Sequence, residues 1–319
     1  MLKNKDLILL KDLMKLNEQG TKDYMEKKLK TMYANVISTP NYLMTEGNLP
    51  VVLLAHLDTV MEDKKKYKFL YDERLDIASS LCGLGFDDKA GLAAIIKILE
   101  TGLRPTIICC TGEEKGSIGA SILVEEHPIF PFQVMPKYMI QLDRRGSNDC
   151  VFYDCGNQDF IRYIESFGYY KKAWGTFTDI TTIAPAWGVA AVNLSIGYYN
   201  EHTRDEYLQV NEWYRSIQET IRILEDAERV TKFEYIEEVY DHSWLSSFGK
   251  IDFCESCGKP SNDIYEVVMP DGDILGFCLN CIADNDLQYC PDCQSFFVPS
   301  KPGQTKCYWC EREALQNKK

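Results

Sequence analysis

The sequence has no long uninterrupted apolar segment. No run approaches the roughly 18–20 apolar residues that a membrane-spanning helix requires. Lys and Asp interrupt the apolar residues of the first segment, so it also lacks the roughly 7–15-residue apolar stretch of a secretory signal. These absences predict a cytoplasmic protein that does not bind membranes.

Positive charge is also scarce. The 319 residues include 35 Lys and Arg against 48 Asp and Glu, which gives a formal net charge of −13. This imbalance disfavours binding to nucleic acids or to anionic membranes. The sequence has no internal repeat and no low-complexity tract. With 45% hydrophobic and 26% charged residues, it has the composition of an ordinary globular protein.

The 13 cysteines are unevenly distributed, and eight of them fall between Cys254 and Cys310. In a reducing cytoplasm, such a cluster is more typical of metal ligands than of disulfides. The change in composition predicts a large domain over residues 1–240, a linker over 241–253 and a cysteine-rich domain over 254–319.

The first 230 residues alternate between two patterns. Short apolar runs that are typical of buried strands include 51–55 and 105–110, whereas apolar residues at helical spacing cover 91–99 and 210–225. This alternation predicts an α/β fold with a mostly parallel central sheet sandwiched by helices. In such sheets, functional sites form where the loops after the carboxyl ends of the strands converge.

Carboxylates and histidines stand at these strand and loop ends. Hydrolysis of an unactivated amide needs a nucleophilic water and a Lewis acid, which two divalent ions about 3.5–4 Å apart supply. Imidazole and carboxylate ligands suit zinc, and also cobalt or manganese. A simpler alternative is that one acidic pair caps a helix and the other is solvated. The residues are His56 and Asp58, Asp87 and Asp88, Glu113 and Glu114, Asp143, and Glu201 with His202.

Five motifs occur in a fixed order over about residues 1–230: HLDT, GFDDKAG, TGEE, a strand-end Asp and a late EH. Together they resemble the clan of co-catalytic zinc exopeptidases, which contains zinc aminopeptidases, peptidase T-like tripeptidases, aminoacylases and glutamate carboxypeptidases. The resemblance implies an amide hydrolase, with an aminopeptidase or di/tripeptidase as the first choice. It implies one ion held by His56 and Asp143, a second held by Glu114 and His202, and Asp87 as the bridge between them.

The same resemblance assigns two further roles. Glu113 would be the general base that takes a proton from the attacking water and passes it to the leaving amine. Asp58 would orient the imidazole of His56 through its other ring nitrogen. The resemblance also implies a cis peptide bond between Asp87 and Asp88.

The sequence departs from part of the clan in one respect. The tripeptidases and aminoacylases insert a lid domain before the final His, but here Asp143 and His202 are only 59 positions apart. We therefore expect the compact form without a lid. Asp179 is a candidate for binding a substrate amine, as in an aminopeptidase. Arg144 and Arg145 are candidates for binding a carboxylate, as in a deacylase of N-acyl amino acids or another small amide, although pairing with acidic neighbours is an equal alternative.

The tail contains four Cys-x2-Cys pairs, a strong zinc signature. Four thiolates close a tetrahedral site, so these two zinc ions are predicted to be structural. The eight-residue gap between the second and third pairs favours two sequential sites, 254–281 and 290–310, over a cross-brace like that of RING domains. The predicted ligands are Cys254, Cys257, Cys278, Cys281, Cys290, Cys293, Cys307 and Cys310.

The role of this tail is open at the level of sequence. Residues 254–310 contain eight Asp or Glu against three Lys or Arg, which disfavours phosphate contacts. Aromatic residues in the tail could dock a protein partner or a substrate peptide, and the tail could equally be a stability or dimerisation appendage. A ubiquitin-ligase-like role would require the cross-brace. In a further alternative, the whole chain is a non-catalytic binding protein that acts through the zinc module.

Overall fold

The computed structural model describes residues 2–60, 68–80, 85–175, 177–236, 252–256, 260–261, 264–270, 274–284, 287–293, 295–301 and 303–316. The chain divides into two compact units. The first contains Met1–Ala173 and Phe177–Glu238, and the second contains the remaining residues.

Two helices of the first unit begin with a side-chain cap. The side chain of Asn17 accepts the N–H of Gly20 at the start of one helix, and Asn157 accepts two N–H groups at the start of another. Within the described residues, no helix is both long enough and apolar enough to cross a membrane. The helices are α1 (Leu2–Met14), α2 (Glu18–Leu29), α3 (Phe86–Glu100), α4 (Ile118–Glu126), α5 (Gln158–Ser166), α6 (Asp179–Trp187) and α7 (Val210–Asp226), with 3-10 turns at Glu113–Lys115 and Ala227–Arg229.

The strands of the first unit form two sheets. The larger has eight strands in the order β1-β2-β6-β3-β7-β10-β8-β9, and the smaller has the order β11-β12-β5-β4. The strands are β1 (Val36–Ser38), β2 (Tyr42–Thr45), β3 (Leu49–His56), β4 (Phe69–Asp72), β5 (Ile77–Ser80), β6 (Pro105–Cys110), β7 (Tyr138–Arg144), β8 (Asp149–Val151), β9 (Lys171–Ala173), β10 (Ala191–Ser195), β11 (Tyr198–Tyr199) and β12 (Tyr207–Gln209).

Helices cover both faces of the larger sheet. Along β3, Val51, Leu53 and Ala55 pack into a core shared with α1, α2, α3, α5 and α7, while Val52 and Leu54 pack on the opposite face against α4 and α6. Alternate residues of a strand point to opposite faces, so a strand buried on both sides must be apolar throughout. This is why the run 51–55 has no polar residue.

The predicted fold class is confirmed: the first unit is α/β, with a central sheet flanked by helices. Strands β3 and β6 and helices α3 and α7 form where the apolar patterns predict them. The four middle strands, β6-β3-β7-β10, are parallel, as expected. Strands β2 and β8 join them antiparallel, and β8 pairs in parallel with the edge strand β9, so the sheet is mixed but mostly parallel.

The second unit is built from short elements. Its strands form a two-stranded sheet, β13-β14, and a four-stranded sheet in the order β16-β15-β18-β17. The elements are β13 (Asp252–Phe253), β14 (Pro260–Ser261), β15 (Ile264–Val268), β16 (Ile274–Cys278), α8 (Leu279–Asp284), β17 (Gln288–Tyr289), β18 (Phe296–Phe297) and α9 (Tyr308–Gln316).

Close packing of α3 on β7 leaves no room for a side chain at Gly91. A Cβ atom there would lie 2.0 Å from the carbonyl oxygen of Leu142 and 2.2 Å from Oδ1 of Asp88. We expect Gly91→Ala to lower the free energy of unfolding of the first unit by about 1–3 kcal/mol, because a backbone oxygen must move. Urea unfolding followed by tryptophan fluorescence measures this.

The matched control is Gly20→Ala, also at a helical glycine. Its Cβ would lie 3.1 Å from Oδ1 of Asn17 and 3.5 Å from the side chain of Leu16. We expect this change to be neutral or mildly stabilising, since Ala is the better helix former by about 1 kcal/mol. Equal unfolding curves for the two variants would contradict the packing argument.

Candidate metal centre

Loops and strand ends of the first unit bring the predicted ligands together. Two of the predicted ligands lie on the parallel strands β3 and β7. A third lies in the turn after β6, and a fourth lies at the start of α3. The fifth lies in the loop between β11 and β12. These residues are His56 on β3, Asp143 on β7, Glu114 after β6, Asp87 in α3 and His202 in the loop.

His56 is buried and faces three carboxylates. Its Nε2 lies 2.9 Å from Oδ1 of Asp87 and 3.4 Å from Oδ1 of Asp143. Its Nδ1 lies 3.3 Å from Oδ1 of Asp58. One ring nitrogen therefore faces the two predicted ligands, and the other faces the carboxylate predicted to orient the ring.

Asp87 lies between the two imidazoles. Its Oδ1 contacts His56, and its Oδ2 lies 3.2 Å from Nε2 of His202. The same nitrogen of His202 lies 3.0 Å from Oε1 of Glu114. The peptide bond between Asp87 and Asp88 is cis, as the resemblance implies. Each half of the cluster thus holds one imidazole and one carboxylate of its own, with Asp87 shared.

Asp58 also contacts the turn after β6. Its Oδ1 accepts the backbone N–H of Glu113 at 3.0 Å, and its Oδ2 accepts that of Glu114 at 3.2 Å. A single carboxylate therefore touches the ring of His56 and holds the backbone of the predicted base and of a predicted ligand. The sequence analysis predicted the contact with His56 alone.

The charge of the cluster shifts the pKa of both imidazoles. Burial alone would lower the pKa of His56, but Asp143, Asp58 and Asp87 hold it well above its usual range. Hydrogen bonds in which the carboxylates of Asp87 and Glu114 accept from the ring raise the pKa of His202 to about 10. The raised pKa values favour imidazole rings that carry protons among these carboxylates. A divalent cation could replace those protons. Imidazole nitrogens with carboxylate oxygens are a donor set that suits zinc, cobalt or manganese.

Glu113 lies beside the cluster. Burial, followed by the charge of Asp143, raises its pKa to about 9. A carboxyl group whose ionised form is disfavoured by its own acidic neighbours would ionise more readily if cations neutralised those neighbours. Its position and environment are compatible with a general base in a cation-loaded site.

Polar side chains that the sequence analysis did not single out support Asp143. Its Oδ2 accepts hydrogen bonds from Gln141 at 2.9 Å and from Thr178 at 3.0 Å, and its backbone carbonyl accepts from the hydroxyl of Tyr198 at 2.7 Å. Thr178 directly precedes the candidate substrate contact Asp179. Gln141 and Tyr198 carry no signal in a single sequence.

Asp88 and Glu206 also lie at the cluster. Asp88 is fully buried and accepts the backbone N–H groups of His56 and Gly91, so it is the member of the acidic pair that caps α3. Glu206 is 1% exposed and accepts the backbone N–H of Asp87. The capping alternative raised from the sequence thus fits Asp88, whereas Asp87 faces the imidazoles.

The predicted substrate contacts are placed differently from expectation. Asp179 is 1% exposed, so its carboxylate has no surface to offer a substrate amine, and burial raises its pKa to about 6. Arg145 pairs with Glu201 at 2.7 Å, and Nε of Arg144 lies 3.7 Å from Asp149. The geometry therefore does not support Asp179 as an amine ligand, and it favours acidic pairing for the arginines.

The cysteines of the second unit gather into two groups. Within each group the sulfur atoms lie within 4.8 Å of one another. Cys257, a predicted member of the first group, lies outside the described residues. The described cysteines of the first and second pairs lie in one group, and those of the third and fourth pairs lie in the other. This is the sequential arrangement and not the cross-brace. The groups are Cys254, Cys278 and Cys281, and Cys290, Cys293, Cys307 and Cys310.

In the second group, Cys290 favours the thiolate form. Burial alone would raise the pKa of Cys290, but the backbone N–H groups of Cys307, Cys293 and Asp292 lower it to about 6. The sulfur atoms of Cys293 and Cys307 lie 3.6 Å apart. The thiolate is the form that binds a metal ion, so this turn is suited to holding one.

Comparison with known proteins supports the fold. No model of a known protein family matches the sequence, and no curated protein matches it. Solved structures do resemble it. A tripeptidase from Staphylococcus aureus has a TM-score of 0.59 at 14% identity, covering 71% of this chain and 99% of its own. Aminopeptidase PepT from Bacillus cereus has a TM-score of 0.56 at 16% identity, covering 70% and 98%.

An aminopeptidase from the archaeon Desulfurococcus kamchatkensis is similar to the same extent, with a TM-score of 0.54 at 14% identity over 73% of this chain and 97% of its own. At such low identity these likenesses establish a shared fold and leave the activity to be argued from the site. The fold is that of known aminopeptidases and tripeptidases.

The raised pKa values predict proton release on metal binding. The raised pKa of both imidazoles favours their protonated forms at neutral pH, whereas a metal ligand must be unprotonated. Binding of Mn²⁺ should therefore release protons at pH 7, and its affinity should rise with pH by about tenfold per unit for each proton released. Calorimetry in buffers of different ionisation enthalpy counts these protons.

Mn²⁺ is chosen because thiolates bind it weakly, so the cysteine groups contribute little. His127→Ala is the control, since the ring of His127 contacts the hydroxyl of Tyr42 at 3.1 Å and no predicted ligand. The control should release as many protons as the wild type. Binding without proton release in the wild type would contradict the electrostatic description of the cluster.

Proposed function

We propose that this protein is a two-metal hydrolase that cleaves an amide bond, most specifically an aminopeptidase or a di/tripeptidase. One observation carries the proposal. The carboxylate of Asp87 lies between His56 and His202, and each imidazole has a further carboxylate beside it. Two ions sharing one bridging carboxylate would use this arrangement fully.

The ligands divide between the two ions. His56 and Asp143 would hold one ion, Glu114 and His202 would hold the other, and Asp87 would bridge them. Bound zinc, or cobalt or manganese in its place, would polarise the substrate carbonyl and make water nucleophilic near neutral pH.

Glu113 would move the proton. A carboxylate Oε of Glu113 would take a proton from the attacking water and deliver it to the nitrogen of the leaving amine. Asp58 would hold the backbone of Glu113 in place through its N–H and keep the ring of His56 oriented through Nδ1. Both roles depend on contacts made within the first unit alone.

The placement of the arginines favours a peptidase over a deacylase. Deacylation of N-acyl amino acids calls for a cation that binds the substrate carboxylate. Arg145 and Arg144 lie instead beside Glu201 and Asp149. A deacylase acting on N-acyl amino acids or on another small amide remains the second candidate, and turnover separates the two.

The second unit would be a structural zinc module with two four-cysteine sites. Most of the described cysteines of the two groups lie in small apolar clusters, so zinc would link strands that have little other core. The proposal places the protein in the cytoplasm, where thiols stay reduced. The module could also bind a protein partner. In the non-catalytic alternative that binding would be the function, with no role for nucleic acids or membranes.

Turnover tests the function. We expect the zinc- or manganese-loaded protein to hydrolyse dipeptides and aminoacyl anilides with a free amine, and to leave their N-acetylated counterparts intact. Release of amino acids from N-acyl amino acids instead would favour the deacylase. If the protein hydrolyses none of these amides with both catalytic ions bound, the non-catalytic alternative would be favoured.

Glu113→Gln shows whether the activity belongs to this site. The amide cannot accept the proton, so kcat should fall by about 10²–10⁴-fold. Bound catalytic metal should be unchanged, which elemental analysis measures. Glu125→Gln on the exposed face of α4 is the matched control and should retain full activity. Undiminished turnover by Glu113→Gln would remove the base assignment.

Substitution of single cysteines tests the zinc module. Cys290→Ser should lower bound zinc by about one ion per chain and destabilise the second unit, because structural zinc is linked to folding. Cys155→Ser is the control, since Cys155 is buried in the first unit and donates to two backbone carbonyls. Unchanged zinc content in Cys290→Ser would contradict the four-thiolate site.

A further inference from the structure

The hairpin of β11 and β12 contacts the candidate metal centre at three points. Tyr198 at its start donates its hydroxyl to the backbone carbonyl of Asp143. His202 in its loop contacts Asp87 and Glu114. Glu206, at the end of the loop and just before β12, accepts the backbone N–H of Asp87. One short segment thus touches ligands from three other elements of the chain.

Glu206 contacts the backbone on both sides of Phe86. Its Oε1 accepts the N–H of Asp87 at 3.0 Å, and its Oε2 accepts the N–H of Gly85 at 2.5 Å. Gly85 has a φ of +74°, and a Cβ there would lie 2.1 Å from Oγ1 of Thr59, so this turn is narrowly constrained. A buried carboxylate with both oxygens engaged fixes the direction in which the turn presents Asp87.

The loop between the strands holds its own shape. Thr203 donates its backbone N–H and its hydroxyl to the carbonyl of Asn200, and it accepts the N–H of Asp205. His202 and Glu206 are four residues apart within this loop. The imidazole of His202 contacts the side chain of Asp87, and the carboxylate of Glu206 contacts its backbone. A displacement of the loop would therefore move both contacts together.

We propose that Glu206 is a positioning residue for the bridging carboxylate. It holds the backbone of Asp87 while His202, from the same loop, holds one of its side-chain oxygens. This places the carboxylate between the two imidazoles, 2.9 Å from His56 and 3.2 Å from His202, and would thereby set the spacing of the two ions. The inference rests on the proposed two-metal function, and it gives Glu206 no contact with substrate or metal.

The test uses the full chain with Glu206→Gln, which keeps the shape of the side chain but replaces one acceptor oxygen by a donor. Glu201→Gln is the matched control, because Glu201 lies in the same loop and pairs with Arg145. Each protein is treated with a chelator and titrated with Mn²⁺. Electron paramagnetic resonance measures free Mn²⁺ and the exchange coupling of a bridged Mn²⁺ pair.

We expect coupled pairs in the wild type and in Glu201→Gln. Glu206→Gln should bind Mn²⁺ about 10–100-fold more weakly, as for other residues that orient metal ligands. It should also lose the coupled signal at saturating Mn²⁺, which a purely structural role would not remove. Its metal-free melting temperature should stay close to that of Glu201→Gln.

Two outcomes contradict the inference differently. A coupled signal of wild-type strength in Glu206→Gln, with or without a lower melting temperature, would overturn the positioning role and leave the two-metal function standing. A wild type with no coupled pair would overturn the two-metal function and this inference with it. Should Glu206→Gln fail to fold, Glu206→Asp replaces it: retaining both acceptor oxygens, it should fold with a weakened coupled signal, and unaltered coupling would overturn the inference.

Discussion

The concentration of negative charge around two imidazoles is the constraint on which the first unit depends. Asp87 contacts both His56 and His202, while Asp143 and Glu114 approach one imidazole each. Buried carboxylates this close to one another repel unless cations lie among them. The carboxylates raise the pKa of both imidazoles, because a protonated ring partly neutralises them. The proposed divalent ions would neutralise the carboxylates more completely.

The α/β scaffold makes such a cluster possible by distributing its members. Parallel strands β3 and β7 carry His56 and Asp143 to one edge of the sheet, where Asp87 lies in the first turn of α3. No single element carries more than a few of the charges. The backbone N–H groups of neighbouring turns bind to Asp58 and Glu206, so carboxylates also hold the loops that carry the ligands.

The second unit meets a different constraint. Its elements are short. Its two apolar clusters include five of the eight predicted zinc ligands as buried residues, and a sixth, Cys310, as a partly buried one. A unit of this size buries little apolar surface, so metal–thiolate bonds would supply cohesion that a larger core supplies in the first unit. Under the proposed function, the two units would use metal ligands differently, for chemistry in the first unit and for folding in the second.

The sequence by itself determined the fold class and the types and order of the candidate ligands. Periodicity is a local property, and each strand-end motif stands beside its own apolar run, so both can be read without knowing distant contacts. The spacing of the Cys-x2-Cys pairs likewise favoured sequential groups. Only the tertiary structure decided that Asp179 is buried, that the arginines face acidic partners and that Glu206 holds Asp87. Glu206 and Asp87 are 119 positions apart, and a contact across that separation depends on the packing of several elements at once, which no local pattern of residues encodes.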